Sequence, residues 1–144
     1  MSKEQQQPEK LTDLQAQLDK DLIIDPSHLM SEAASNITKH ATYYHKLAGW
    51  RAKSKMADLE LLALVKERYN HYAGSHDGPV YSYNLSAGGI TKNVEGDKQV
   101  IEKQMGNMMI QLKVEFYTKA CDLFKDRGFA IKNMIDIMKF QNGD

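Results

Sequence analysis

Residues 25–74, DPSHLMSEAASNITKHATYYHKLAGWRAKSKMADLELLALVKERYNHYAG, decide the fold. Asp25 supplies a capping carboxylate and Pro26 a fixed φ suited to a first helical position, so a helix is expected to begin here. Leu29, Ala33, Ile37, Ala41, Tyr44 and Ala48 follow at helical spacing. No proline intervenes before Gly74, which allows about 48 helical residues, or roughly 72 Å at the usual rise per residue. Gly49 leaves two alternatives open, a continuous rod or a hairpin bent at the glycine. Either way the flank is longer than a 144-residue chain can cover, so partners along it are expected.

Outward from this stretch, the polar opening MSKEQQQPEK (1–10) reads as a flexible extension and 11–144 as a single helical domain for DNA binding and oligomerisation. Thr12 with Gln15 resembles a capping box for a short helix carrying Leu14, Leu18 and Leu22, ending near Asp25. Five of the nine glycines fall between Gly74 and Gly96, with Pro79 among them. This segment, about 74–96, reads as a glycine-rich loop or a small β-hairpin pairing Val80–Leu85 with Ile90–Val94. Asp97 then caps a second long helix along Val100, Ile101, Met105, Met108, Leu112, Phe116, Ala120, Leu123 and Phe124. Arg127-Gly128 reads as its terminator, leaving Ile131, Met134, Ile135 and Met138 on a short last helix that must dock. The expected class is mainly α: two long amphipathic helices with short N- and C-terminal ones.

Apolar residues make up 42% of the chain, enough for one core. Nineteen Lys and Arg balance nineteen Asp and Glu, so no uniform field draws the molecule onto DNA or an anionic membrane. The balance hides an asymmetry: residues 1–35 carry three lysines and seven acids, whereas residues 36–72 carry seven cations and three acids, together with Tyr43, Tyr44, Trp50, Tyr69 and Tyr72. Cys121 has no partner for an intrachain disulfide, and the longest apolar run, Leu61–Val65, is five residues. A soluble protein of a reducing compartment is expected, with no membrane partner.

Catalytic chemistry is missing from the pattern. The histidines, His28, His40, His45, His71 and His76, form no i,i+4 pair, and a single cysteine excludes the usual structural zinc sets. Ser75-His76-Asp77 are adjacent in a glycine-rich loop and cannot aim at one another as a triad. Neither a G-x-x-x-x-G-K-[ST] loop nor a G-x-G-x-x-G fingerprint occurs. The expectation is a non-enzyme without metal or cofactor.

On a helical wheel, residues 59–73 group Leu62, Val65, Tyr69 and Tyr72, with Lys66 and Arg68 at the borders. Cations beside aromatic faces suit single-stranded nucleic acid, whose phosphates and bases they engage without reading sequence. The competing reading is packing, with lysine and arginine stems lying over an apolar stripe. Lys53 and Lys55, with Arg51 and Trp50, form a second basic cluster, or a solvated face. Two phosphate contacts at a salt slope near −0.7 each would bind feebly, so repetition of the patch in an oligomer is required.

Specific strings then matter. Leu11-Thr-Asp-Leu-Gln, Leu18-Asp-Lys-Asp, Ile24-Asp25, Glu32-Ala-Ala-Ser-Asn36, Lys66-Glu-Arg68, Tyr72-Ala-Gly74, Asp77-Gly78 and above all Arg127-Gly-Phe-Ala-Ile-Lys132 resemble the UvsY-like recombination mediators of T-even-type bacteriophages. The resemblance implies a ring-like hexamer or heptamer assembled through the C-terminal region, here Phe129, Ile131, Met134, Ile135 and Met138. It implies binding of single-stranded DNA and contact with both the phage single-strand-binding protein and the UvsX-type recombinase, in the cytoplasm of an infected bacterium. A Lys-x-Arg pair contributes to strand binding in that family and falls on Lys66 and Arg68. Tyr69, Tyr72, Lys53 and Lys55 are further candidates. The alternative is a helical adaptor that binds only protein.

Overall fold

The computed structural model describes residues 10–74 and 86–143. The extension Met1–Glu9 and the first hairpin strand, Val80–Leu85, fall outside these residues, as does Ser75-His76-Asp77. The described chain is helical: α1 (Leu11–Leu22), a 3₁₀ turn (Pro26–His28), α2 (Leu29–Ala73), α3 (Ala87–Glu95) and α4 (Lys98–Gln141). None of these helices is long and apolar enough to cross a membrane.

Capping explains several boundaries. Asp25 accepts from the Ser27 N–H and precedes Pro26, as its sequence suggests, and the Ser27 hydroxyl and amide and His28 hold its carboxyl down at about 2. Asp97 caps α4, accepting from the backbone N–H of Gln99 and Val100 at 2.9 and 3.3 Å. α1 departs from expectation. It starts at Leu11 after Lys10, with no side-chain cap, so Thr12 is already helical. Gly49 lies inside α2, which settles in favour of the unbroken helix, and the left-handed terminator is Gly74, at φ 74°.

Two further corrections come from packing. Ile90–Val94 is helix, not strand: Ser86 caps α3, and Ile90 and Val94, one turn apart, both turn inward onto Val100, Leu61, Leu64, Val65 and Tyr72. α4 does not stop at Arg127-Gly128 but runs through to Gln141, so Ile131, Met134, Ile135 and Met138 lie on α4 and not on a separate short helix.

The chain forms two compact units, one built from residues up to Ala48 and from Glu115 onward, the other from Gly49–Val114. In the first, α1 and the early part of α2 pack on the late part of α4 through Leu14, Leu18, Leu29, Tyr43, Leu47, Tyr117, Ala120, Phe124 and Ile131. The Tyr43 and Phe124 rings meet at 4.8 Å, and the Tyr43 hydroxyl donates to Asp21. Arg127 is buried among them. Its guanidinium donates to the Leu22 and Ile23 carbonyls at 3.2 and 2.9 Å and to Asn36 Oδ1 at 2.9 Å, and pairs with Glu32. These carbonyls are the unsatisfied end of α1, so the arginine serves as its C-cap.

In the second unit the less exposed α2 positions include Trp50, Ser54, Ala57, Leu61, Leu64 and Arg68, and those of α4 include Val100, Lys103, Asn107, Ile110 and Val114. Both sets alternate steps of three and four, the 3.5-residue seam of a coiled coil. Asn107 donates to the Ala57 carbonyl, Ser54 to Gln111, and Lys103 pairs with Glu60, so the two helix stretches run antiparallel.

Two glycines in helices invite opposite outcomes. A Cβ on Gly49 would meet nothing within 4 Å, whereas one on Gly128 would sit 3.1 Å from Asn36 Nδ2. That amide donates to the Phe124 carbonyl and accepts from Arg127, so it cannot yield freely. Gly49→Ala is expected to stabilise by about 0.5–1 kcal/mol and Gly128→Ala to destabilise by about 1–3 kcal/mol, as read from urea unfolding midpoints.

Candidate nucleic-acid interface

The last turns of α2 meet the start of α4 at Asp97. One carboxylate oxygen caps α4; the other accepts from Arg68 Nε at 2.9 Å and from the Tyr72 hydroxyl at 2.8 Å. Burial opposes the charge on Asp97, but the hydrogen bonds from Tyr72, Arg68 and the Val100 N–H outweigh it and hold the carboxyl below its ordinary value. The hydrogen bond to that carboxylate, with burial, raises the Tyr72 phenol.

The cationic-aromatic sector is thus split. Arg68 has a side chain only 16% exposed and is paired with Asp97, and Tyr72 packs on the α3 core, so neither stands free toward solvent as the wheel grouped them. Outward face Lys66, Leu62 and Tyr69, the last 39% exposed. Lys55 and Leu59 are exposed as well, and at 100° per residue they share this face with Leu62, Lys66 and Tyr69. A strip of two lysines, two leucines and a tyrosine results. It can hold phosphate oxygens and offer an aromatic face; it has no group placed for bond-breaking chemistry. Lys53 is elsewhere, its ammonium 4.2 Å from the Trp50 ring centroid.

Of the C-terminal candidates, Phe129 and Met138 are exposed, Met134 and Ile135 are half-buried, and Ile131 is 1% exposed inside the first unit. Ile131 is spent on the core of its own chain and offers no free surface. Sequence reasoning missed the roles of Arg127 and of Asp97 as an ion-pair partner. The cap at Asp97 was visible, and its burial beside Arg68 could have been suspected; for Arg127, the neighbouring glycine pointed instead to a helix end. Among the described residues no group of three or more His, Cys, Asp and Glu is placed to hold a metal ion.

Residues 17–144 match the family model described as recombination, repair and ssDNA binding protein UvsY. The recombination protein uvsY of Enterobacteria phage T4 is 30% identical over 135 residues, covering 93% of this chain and 98% of that one. Crystal structures of the bacteriophage T4 recombination mediator protein UvsY superpose on the present fold. One gives a TM-score of 0.85 at 27% identity, covering 94% of this chain and 99% of that one. Another lattice gives 0.84 at 28%, covering 92% and 99%. A match over nearly the whole chain, in sequence and in helical architecture together, places this protein in the UvsY family.

Proposed function

We propose that the protein is a recombination mediator that binds single-stranded DNA as a ring-like homo-oligomer and helps load a phage strand-exchange recombinase in place of the single-strand-binding protein. The observation that carries this reading is the exposed strip Lys55, Leu59, Leu62, Lys66 and Tyr69, in a chain of a family described by recombination, repair and ssDNA binding. Lys66 and Lys55 hold phosphates, and Tyr69 stacks a base. Arg68, tied to Asp97, fixes the end of α2 behind the strip. ATP is the recombinase's concern, because this chain works by binding alone, in the cytoplasm of the infected cell.

Assembly is supported by the apolar surface left over. Met30, Ile37 and Tyr44 on α2, and Phe129, Ile137, Met138 and Phe140 on α4, are large and exposed, a pattern that marks association surfaces. Phe129, Met134, Ile135 and Met138 supply the subunit contact, and each added subunit repeats the weak strip at high effective concentration.

Anisotropy of a labelled oligo(dT) tests the DNA claim. Lys66→Ala is expected to weaken binding at low salt and to lower the salt slope by about 0.7 for each contacting subunit. Equal binding by wild type and variant removes Lys66 from the interface. No binding by wild type at low salt refutes DNA recognition altogether and leaves the protein-only adaptor. Light scattering that shows a monomer at micromolar concentration refutes the assembly.

A further inference from the structure

We infer that single-stranded DNA lies lengthwise along α2 in the second unit, with Arg51 as a third phosphate contact and with Leu59 and Leu62 as an apolar bed beneath the bases between the cations. The inference rests on the DNA-binding reading above and deepens it by giving the strand a direction on the strip. At 100° per residue Arg51 lies about 60° from Lys66, on the same edge as Tyr69. It is exposed and stands one turn before Lys55. From Arg51 to Tyr69 the strip then extends over about 27 Å of helix.

Two cations at i,i+4 repel, so Arg51 beside Lys55 weakens the helix instead of supporting it, and a phosphate between them relieves the repulsion. Among the described residues Arg51, Lys55 and Lys66 enter no ion pair, whereas Arg68 and Lys103, turned toward α4 and its cap, are held by Asp97 and Glu60. No acidic residue lies within the strip. Asp58, at its border one turn after Lys55, makes no ion pair with it. Leu59 and Leu62, 63% and 67% exposed, stand between the two cationic ends, and apolar surface left in water gains by being covered. A single strand alternates charged phosphates with flat, largely apolar base faces along its length. The strip alternates in the same way: Arg51 and Lys55, then Leu59 and Leu62, then Lys66 and Tyr69. A strand crossing the helix would reach one of these steps and leave the others unused.

Anisotropy of labelled oligo(dT) over a salt series separates the two kinds of contact in the full-length protein. Circular dichroism and light scattering check that each variant keeps the fold and the particle. Arg51→Ala is expected to bind about tenfold more weakly at about 50 mM salt, with the salt slope lower by about 0.7 per contacting protomer, and Arg51→Lys to restore both. Leu59→Ala/Leu62→Ala is expected to bind about fivefold more weakly at an unchanged slope, because it removes apolar contact and no charge. Wild-type affinity and slope in Arg51→Ala overturn the lengthwise path, and weakening by Lys66→Ala in the same assay leaves the DNA reading standing. Wild-type binding by the leucine variant gives those side chains to a protein partner and likewise overturns the proposal. Absence of oligonucleotide binding by the wild type overturns both readings.

Discussion

Arg127→Ala should unfold the α1–α2–α4 unit more readily by about 3–5 kcal/mol, a large share of the 5–15 kcal/mol that holds a typical domain together. The variant leaves Glu32 without its cation, Asn36 without a donor, and the Leu22 and Ile23 carbonyls of α1 without a cap. Asn36 is buried and Glu32 only 19% exposed, so water replaces the lost donor poorly at both, which is why losing one partner costs more than the pair contributes. Arg127→Lys should recover little, because one ammonium cannot reproduce a planar fork aimed at four acceptors. Thermal and urea denaturation followed by circular dichroism measure the loss. A loss under 1 kcal/mol would contradict the role assigned to this side chain.

Asp97→Ala should be comparably costly, about 3–5 kcal/mol, because it strands Arg68 and removes the α4 cap together. Asp97→Asn keeps a capping oxygen and should cost less, about 1–3 kcal/mol. The charge change also predicts a pH effect. The folded carboxyl sits below its ordinary value, so the unfolded chain takes up the proton first as pH falls. The stabilisation is therefore complete above about pH 4 and fades as pH drops through the folded value. Asp97→Asn should flatten that part of the stability profile. It also releases Arg68 from its counter-charge, so oligonucleotide affinity at pH 7 should rise or hold. A fall in affinity without loss of fold would show that the Arg68–Asp97 pair itself shapes the DNA surface.

The helical class was legible because its signals are local. Asp25-Pro26 and Asp97 start helices by satisfying nearby backbone N–H groups, and a neighbouring glycine or proline needs no tertiary information. The faces were not legible. Along α2 the apolar positions Ile37 and Tyr44 follow helical spacing, yet they are 74% and 55% exposed, while the polar Asn36 is buried. Met105, Met108 and Leu112 on α4 are likewise exposed, with Ala120 and Phe124 inward. A rod with a buried seam on one side and a second apolar stripe on the other has no single polar face, so periodicity cannot say which stripe the chain keeps for itself. Gly128 misled for a related reason: its missing side chain serves the close approach of Asn36, a contact between residues far apart in sequence. The wheel set Lys66 and Arg68 together at the edge of a tyrosine cluster, but only the fold shows that Arg68 is turned to Asp97.

The asparagine within the second unit's seam carries one more implication. Asn107 spends its Nδ2 on the Ala57 carbonyl and buries its Oδ1 without a partner among the described residues. Regular three-and-four spacing lets rods mesh like a zipper at several offsets, each shifted by one heptad, and leucine teeth would not object. A shift of one heptad would set this amide against Trp50 or Leu64 in place of the small Ala57, where a bulkier side chain stands between it and the backbone. The placing of Lys113 beside Trp50 and the reach of Arg68 to Asp97 belong to the same setting of the teeth, and the amide oxygen left without a partner is what that setting costs.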